Sequence, residues 1–170
     1  MKENFDKALK FVLESEGGYS DNKNDPGGET KYGISKRSHP DEDIKNLSLE
    51  RAGEIYHERY WDAVKGDDLP AGVDYVAFDS AVNHGPQNAG IFLQRAVNRL
   101  KLVLRVDGII GPVTIQNVLG RDRQNLITDI LRERDIFYRK IVAQDPSQEV
   151  FFNGWLVRLS NVAVNARAFA

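Results

Sequence analysis

The stretch "ESEGGYSDNKNDPGGETKYGIS", residues 14–35, sets Glu14, Glu16, Asp25, Glu29 and Thr30 along a glycine-rich chain. A carboxyl group that keeps its proton near neutral pH can protonate a leaving oxygen. A second, ionised carboxylate can hold a water or face a developing positive charge. Together they form the acid/base pair that glycoside cleavage requires. Periodicity separates the candidates. Phe5, Ala8, Leu9 and Val12 recur at i, i+3, i+4 and i+7, so residues 4–16 are expected to form an amphipathic helix. At about 100° per residue, Glu16 falls in the middle of that apolar arc, one turn after Val12, while Glu14 faces water. An inward Glu must be paired or have its pKa raised by desolvation. Gly17 and Gly18 end the helix and leave room for a ligand to approach. Two readings of Glu16 stay open: a general acid beside a cleft, or a buried carboxylate tied to an arginine or to backbone amides.

Asp25 lies nine residues after Glu16, and Thr30 five after Asp25, across a glycine-rich turn. A hairpin there would fold back over the helix end and bring both to the cleft, with Asp25 as second carboxylate and Thr30 helping to hold a water. Glu29 competes with Asp25 for that role, although in a strand Glu29 and Thr30 face opposite ways. Asp25 also reads as an Asx-turn residue ahead of Pro26.

The elements that must position these residues are mainly α. "TKYGIS" reads as a short strand in a small β element near residues 19–35, and Ser48 is a good N-cap for a helix through "LERAGEIYHERYW". In "LPAGVDYVAFDSAVNHGP", Val73, Val76, Ala77 and Ala81 mark one face and Tyr75, Phe78 and Val82 another. A helix apolar on two faces belongs at the centre of the fold. Further helices are expected over 88–100, after Pro112, over 122–143 and after "QDPSQ". Phe151, Phe152 and Trp155 on the last one read as an exposed anchor to sugar or membrane or as core, and at helical spacing beside Leu156 and Leu159 most are expected to be core.

Asp79 and Asn83 on the central helix read either as cleft-lining groups that brace Glu16 or as core hydrogen-bonding residues, with the core reading favoured. Tyr19, Lys31 and Tyr32 read as sugar-stacking and hydrogen-bonding candidates, or as packing. "DNKNDPGGE" fails as a calcium loop, since Lys23, Pro26 and Tyr32 occupy positions that need an acid, a glycine and a glutamate. His39, His57 and His84 are too scattered for zinc, and neither metal nor cofactor is expected.

The 170 residues are 41% hydrophobic and 28% charged, enough for one core with no apolar run long enough for a membrane helix. The opening residues lack the apolar block of a secretory signal, so synthesis in the cytoplasm is expected. Without cysteine there are no disulfides. The net charge of −2 hides an asymmetry. Residues 1–86 carry 11 Lys/Arg against 18 Asp/Glu, and residues 87–170 carry 12 against 7. The positive half either faces an anionic polymer or is an ordinary solvated surface. A monomer that does not bind nucleic acid or insert in membranes is expected.

"EGGY" (16–19), "DPGGETKYGIS" (25–35), "YHERYWD" (56–62) and "FDSAVNHGP" (78–86), in that order, resemble the glycoside hydrolase family 108 muramidases, which include phage endolysins and bacterial muramidases linked to secretion. "LQRAVNRL" with "VDGIIGPVT" resembles their C-terminal peptidoglycan-binding region. The resemblance implies a lysozyme-like fold, with residues 1–86 as catalytic region and 87–170 as a helical wall-binding region packed on it. It implies cleavage between N-acetylmuramic acid and N-acetylglucosamine in bacterial peptidoglycan, with Glu16 as the essential glutamate. The order Glu16, Asp25, Thr30 is similar to the triad of phage-type lysozymes, with the Asp-to-Thr gap one residue shorter. A non-catalytic peptidoglycan-binding protein and a muramidase serving secretion are the alternatives. Action at the cell wall after release is expected.

Overall fold

The computed structural model describes residues 2–16, 29–101 and 104–169, without the side chains of residues 2, 3 and 16. Over these residues the chain forms α1 (Lys2–Glu16), then β1 (Thr30–Lys31) and β2 (Ile34–Ser35), then α2 (Leu49–Tyr56) and α3 (Val73–His84). After these come α4 (Pro86–Asn98), α5 (Pro112–Leu119), α6 (Arg123–Gln144) and α7 (Glu149–Ala166). The mainly α architecture with one small β element matches the expectation from sequence.

The helix with two apolar faces is the centre. Every residue of α3 from Val73 to Ala81 is buried, and α1, α4, α6 and α7 pack around it. Gly85 then turns the chain directly into α4 with φ +82°, a conformation that costs a side-chain-bearing residue energy, and Pro86 fits the first turn that follows. Ser48 caps α2 as expected, its hydroxyl accepting from the Arg51 amide at 3.1 Å. The helix does not run on uniformly through "HERYW", because His57–Trp61 widen into a π turn. That turn drives Trp61 fully into the core against Gly66, where a Cβ would overlap the indole ring.

"TKYGIS" is not one strand but two, paired antiparallel with Thr30 opposite Ser35 and Lys31 opposite Ile34. Tyr32 and Gly33 form the two-residue loop, both with positive φ (53° and 76°). This is the backbone of the tight hairpin turn whose twist matches that of the strands it joins.

The loop after α4 is held by one buried side chain. Gln94 Nε2 donates to Asp107 Oδ1 (2.8 Å) and to the Ile109 carbonyl (3.0 Å), while its Oε1 accepts from the Asp107 and Gly108 amides. The "VDGII" segment is therefore rigid. The last helix departs from expectation. Phe152 and Trp155 are half-buried, with Trp155 stacked on Tyr138 at 5.0 Å, but Phe151 is exposed. Phe151 stacks on Trp155 at 6.3 Å yet stays 55% exposed. Among the described residues no helix is long and apolar enough to cross a membrane.

Candidate active site

The site is built from the C-terminal end of α1 and the hairpin. Contacts at both ends fix α1. Asn4 Nδ2 donates to buried Asp74 Oδ2 at 2.7 Å, and Phe5 packs edge-on against Trp61 and Phe78. Further on, Phe11 meets Tyr75 and Phe169, and the Lys7 ammonium donates to the Ala168 carbonyl. A rigid helix delivers its last residue to a fixed place. That residue is Glu16, one turn beyond Val12, which is 0% exposed, and three residues beyond Leu13, which lines a groove. Tyr19 and Asp25 lie outside the described residues, as does the Glu16 side chain.

The groove runs along α1. One cavity of about 830 Å³ lies between α1 and α2, with Phe5, Leu9, Leu49 and Gly53 among its walls. Five carboxylates also line it: Asp6, Glu50, Glu54, Glu58 and Asp67. A second cavity of about 530 Å³ shares Asp6, Leu9 and Leu49 and continues past Lys10, Leu13 and Glu14 to Tyr32. Its walls are mostly apolar, and an aromatic ring at one end is the surface on which a pyranose face packs. The groove residues of α1 were legible only in part. Leu9 belongs to the apolar arc in the sequence, yet it is only half-buried and lines both cavities.

The hairpin residues divide. Tyr32 faces the groove, and its carbonyl accepts from Tyr56 Oη at 2.9 Å, which pins the turn to α2. The Lys31 ammonium lies 5.5 Å from the Tyr32 ring centre and donates to the Lys45 carbonyl at 3.1 Å. Thr30 and Glu29 are both half-buried, and the Glu29 carbonyl accepts from the Lys36 amide at 2.8 Å.

Asp79 is placed elsewhere. It is 1% exposed, with Arg134 Nη1 2.7 Å from Oδ2 and Arg158 Nη2 2.9 Å from Oδ1. Burial alone would push its carboxyl up, but the two guanidinium groups outweigh it and hold the group below the usual carboxylate range. A carboxylate enclosed in this way touches no polymer, so the cleft-lining reading of Asp79 gives way to the core reading. Asn83 is likewise committed inside, donating to Tyr138 Oη at 2.7 Å. Beside it, burial in a ring of Phe92, Phe137 and Tyr138 lowers His84 to about 3, so it stays neutral. Arg134 and Arg158 were missed from sequence. Each sits on an otherwise amphipathic helix 55 or more residues from Asp79, and no local pattern signals the pairing. Among the described residues no group of three or more His, Asp or Glu side chains is gathered as metal ligands.

A sequence model of the family described as glycosyl hydrolase 108 matches residues 9–85, and one described as "Predicted Peptidoglycan domain" matches residues 88–160. The solved structure of SagA from Brucella abortus is similar along nearly the whole chain. The two share 34% identity with a TM-score of 0.82, and the match covers 99% of this chain and 97% of that one. The chain belongs to the glycosyl hydrolase 108 family. Among proteins of curated function none matches it. The glycosyl hydrolase 108 assignment makes this a lysozyme-like, mainly α hydrolase that acts on peptidoglycan, as the four short motifs implied. The match at residues 9–85 spans the end of α1, the hairpin and α2, the three elements that frame the groove.

Proposed function

We propose that this protein is an N-acetylmuramidase that cuts the bond between N-acetylmuramic acid and N-acetylglucosamine, acting at the bacterial cell wall. Glu16 donates the proton to the glycosidic oxygen. Asp25, with Thr30, holds the attacking water or faces the positive charge that builds on the sugar ring. Tyr32, with Tyr19 and Lys31, seats the sugar. Residues 1–86 supply the chemistry and residues 87–170 hold the wall.

One observation carries this reading. A helix fixed by core contacts ends in a glutamate one turn past a buried valine, and the groove along that helix runs past Leu13 and Glu14 to Tyr32 of the hairpin. A carboxyl that loses hydration without acquiring a fixed counter-charge keeps its proton near neutral pH, and the proposal requires this of Glu16. Mass spectrometry of peptidoglycan digested by the full chain tests it. The expected products carry reducing N-acetylmuramic acid ends. Ends of another type would reassign the bond, and intact peptidoglycan would leave a wall-binding protein. A Glu29→Gln change more damaging than Asp25→Asn would move the second carboxylate to Glu29.

A further inference from the structure

α7 has two apolar faces, and only one of them is used. The inner face packs Trp155 on Tyr138 and buries Val162 and Ala166. The outer face leaves Val150 78% exposed, Val157 60% and Val164 61%. With exposed Gly154 and Asn161 between them, these residues recur at intervals of four, three, four and three. The three valines fall seven residues apart, at one of the two core positions of a helix-pair seam, with Gly154 and Asn161 at the other. On an ideal helix the five fall within a single arc of about 80°, with no charge among them. α7 contributes one arginine at mid-length, Arg158, and it is turned inward onto Asp79.

We propose that this seam pairs with the same seam of a second copy, antiparallel, about a two-fold axis at Val157. The ends of the helix choose the orientation. Exposed Glu149 and exposed Arg167 are 18 residues apart, five full turns, so they stand on the same flank of the seam. An antiparallel two-fold keeps each flank on its own side and brings Glu149 of each copy beside Arg167 of the other, whereas a parallel two-fold carries them to opposite flanks and leaves both without a partner across the seam. Val150 then meets Val164 of the second copy, and Asn161 falls near Gly154, where a missing side chain leaves it room. A bilayer is a poorer occupant. Helices that lie on lipid carry Lys and Arg along their polar flanks, whereas the flank of this one carries Asn153 and Ser160 and its exposed face holds Asn161. An interface of one helix face is small and its association weak.

The chain has no cysteine, so single cysteines report the geometry directly. In the full-length protein, Val157→Cys should form a covalent dimer under mild oxidation. Val150→Cys alone should not, because the two-fold holds its copies roughly 20 Å apart at ~1.5 Å per residue. Mixing Val150→Cys with Val164→Cys should restore the cross-link. Sedimentation of the unmodified chain should show mass rising towards twice that of the monomer with concentration, and Val157→Asp should abolish the rise. Glu149→Arg should weaken association and Glu149→Arg with Arg167→Glu should recover it. A chain that stays monomeric at all concentrations with no Val157→Cys cross-link overturns the proposal, as does Val150→Cys cross-linking as readily as Val157→Cys. Capture by anionic phospholipid vesicles without dimer formation also overturns it, and would give the face to a bilayer.

Discussion

Two carboxylates on adjoining helices have opposite fates in this molecule. Asp79, midway along α3, is enclosed, ionised and matched by two arginines. Glu16 is the last residue of α1, one turn past buried Val12 and three residues past groove-lining Leu13. Both were legible as acids on apolar faces, so burial alone does not mark a proton donor. On the proposed function, what separates them is the company of charge. A carboxylate with guanidinium partners is held ionised and cannot give up a proton it does not carry. One desolvated by apolar neighbours alone keeps its proton. Asp79 stabilises a core that must fold around it, whereas Glu16 needs an open side.

The sharpest way to break that contrast is to neutralise each acid in turn. Glu16→Gln should lower lysis of purified peptidoglycan by roughly 10³-fold or more, about 4 kcal/mol of barrier, while the melting temperature stays within a degree or two. Full activity in this variant would remove Glu16 from the chemistry. Asp79→Asn should do the reverse. It leaves two guanidinium groups facing a neutral amide in the core, at a cost of about 3 kcal/mol in chemical denaturation. Activity per folded molecule should be kept. If Asp79→Asn folds normally and loses activity, the core reading of Asp79 fails.

The core side of the contrast also has a pH signature. His84 is held at about 3 in the folded protein, chiefly by burial and then by Arg134, against 6.5 in the unfolded chain. Between those values the unfolded chain takes up a proton that the folded one refuses. Stability is therefore full above pH ~6.5 and falls as the pH drops towards 3, with a slope of up to about 1.4 kcal/mol per pH unit. Asp79, also lowered, adds a loss of the same sign that begins about one pH unit above its unfolded pKa of 3.8 and grows below it. Urea midpoints measured from pH 7 to pH 4 check this. Above pH 5 Asp79 contributes little, and His39, also lowered chiefly by burial, adds a loss of the same sign, so over pH 7 to 5 the slope should fall in His84→Phe without vanishing.

The sequence revealed most of the architecture because periodicity is a local property. The two-faced pattern of α3, the Ser48 cap and the arc of α1 each lie within one or two turns of chain. The ionic cluster was not legible, since Asp79, Arg134 and Arg158 are brought together only by the packing of α3, α6 and α7. The hairpin was half legible. Glycine at position 33 announces a turn, but nothing local forces Tyr32 to take positive φ as well; the pairing of Lys31 with Ile34 does that. The exposed seam of α7 was hidden for another reason. A stripe of valines predicts contact, and the sequence does not say whether the contact is made within the chain.

Tyr32 gives the smallest and most discriminating test, because it joins strain to function in one residue. A tyrosine at φ 53° costs about 1 kcal/mol that asparagine largely avoids, since its short polar side chain tolerates the left-handed region. The residue's carbonyl accepts the Tyr56 hydroxyl, a backbone contact that survives substitution. Tyr32→Asn should therefore stabilise the protein by about 0.5–1 kcal/mol while removing the ring from the groove. If that ring seats sugar, the stacking lost is of similar size, about 1 kcal/mol, and appears as a several-fold rise in KM with little change in kcat. A gain in stability with unchanged KM would make Tyr32 a packing residue at a strained turn. A loss of stability would mean that ring contacts with α1 outweigh the strain. Only the trade of stability against binding places the site's cost where the core has none.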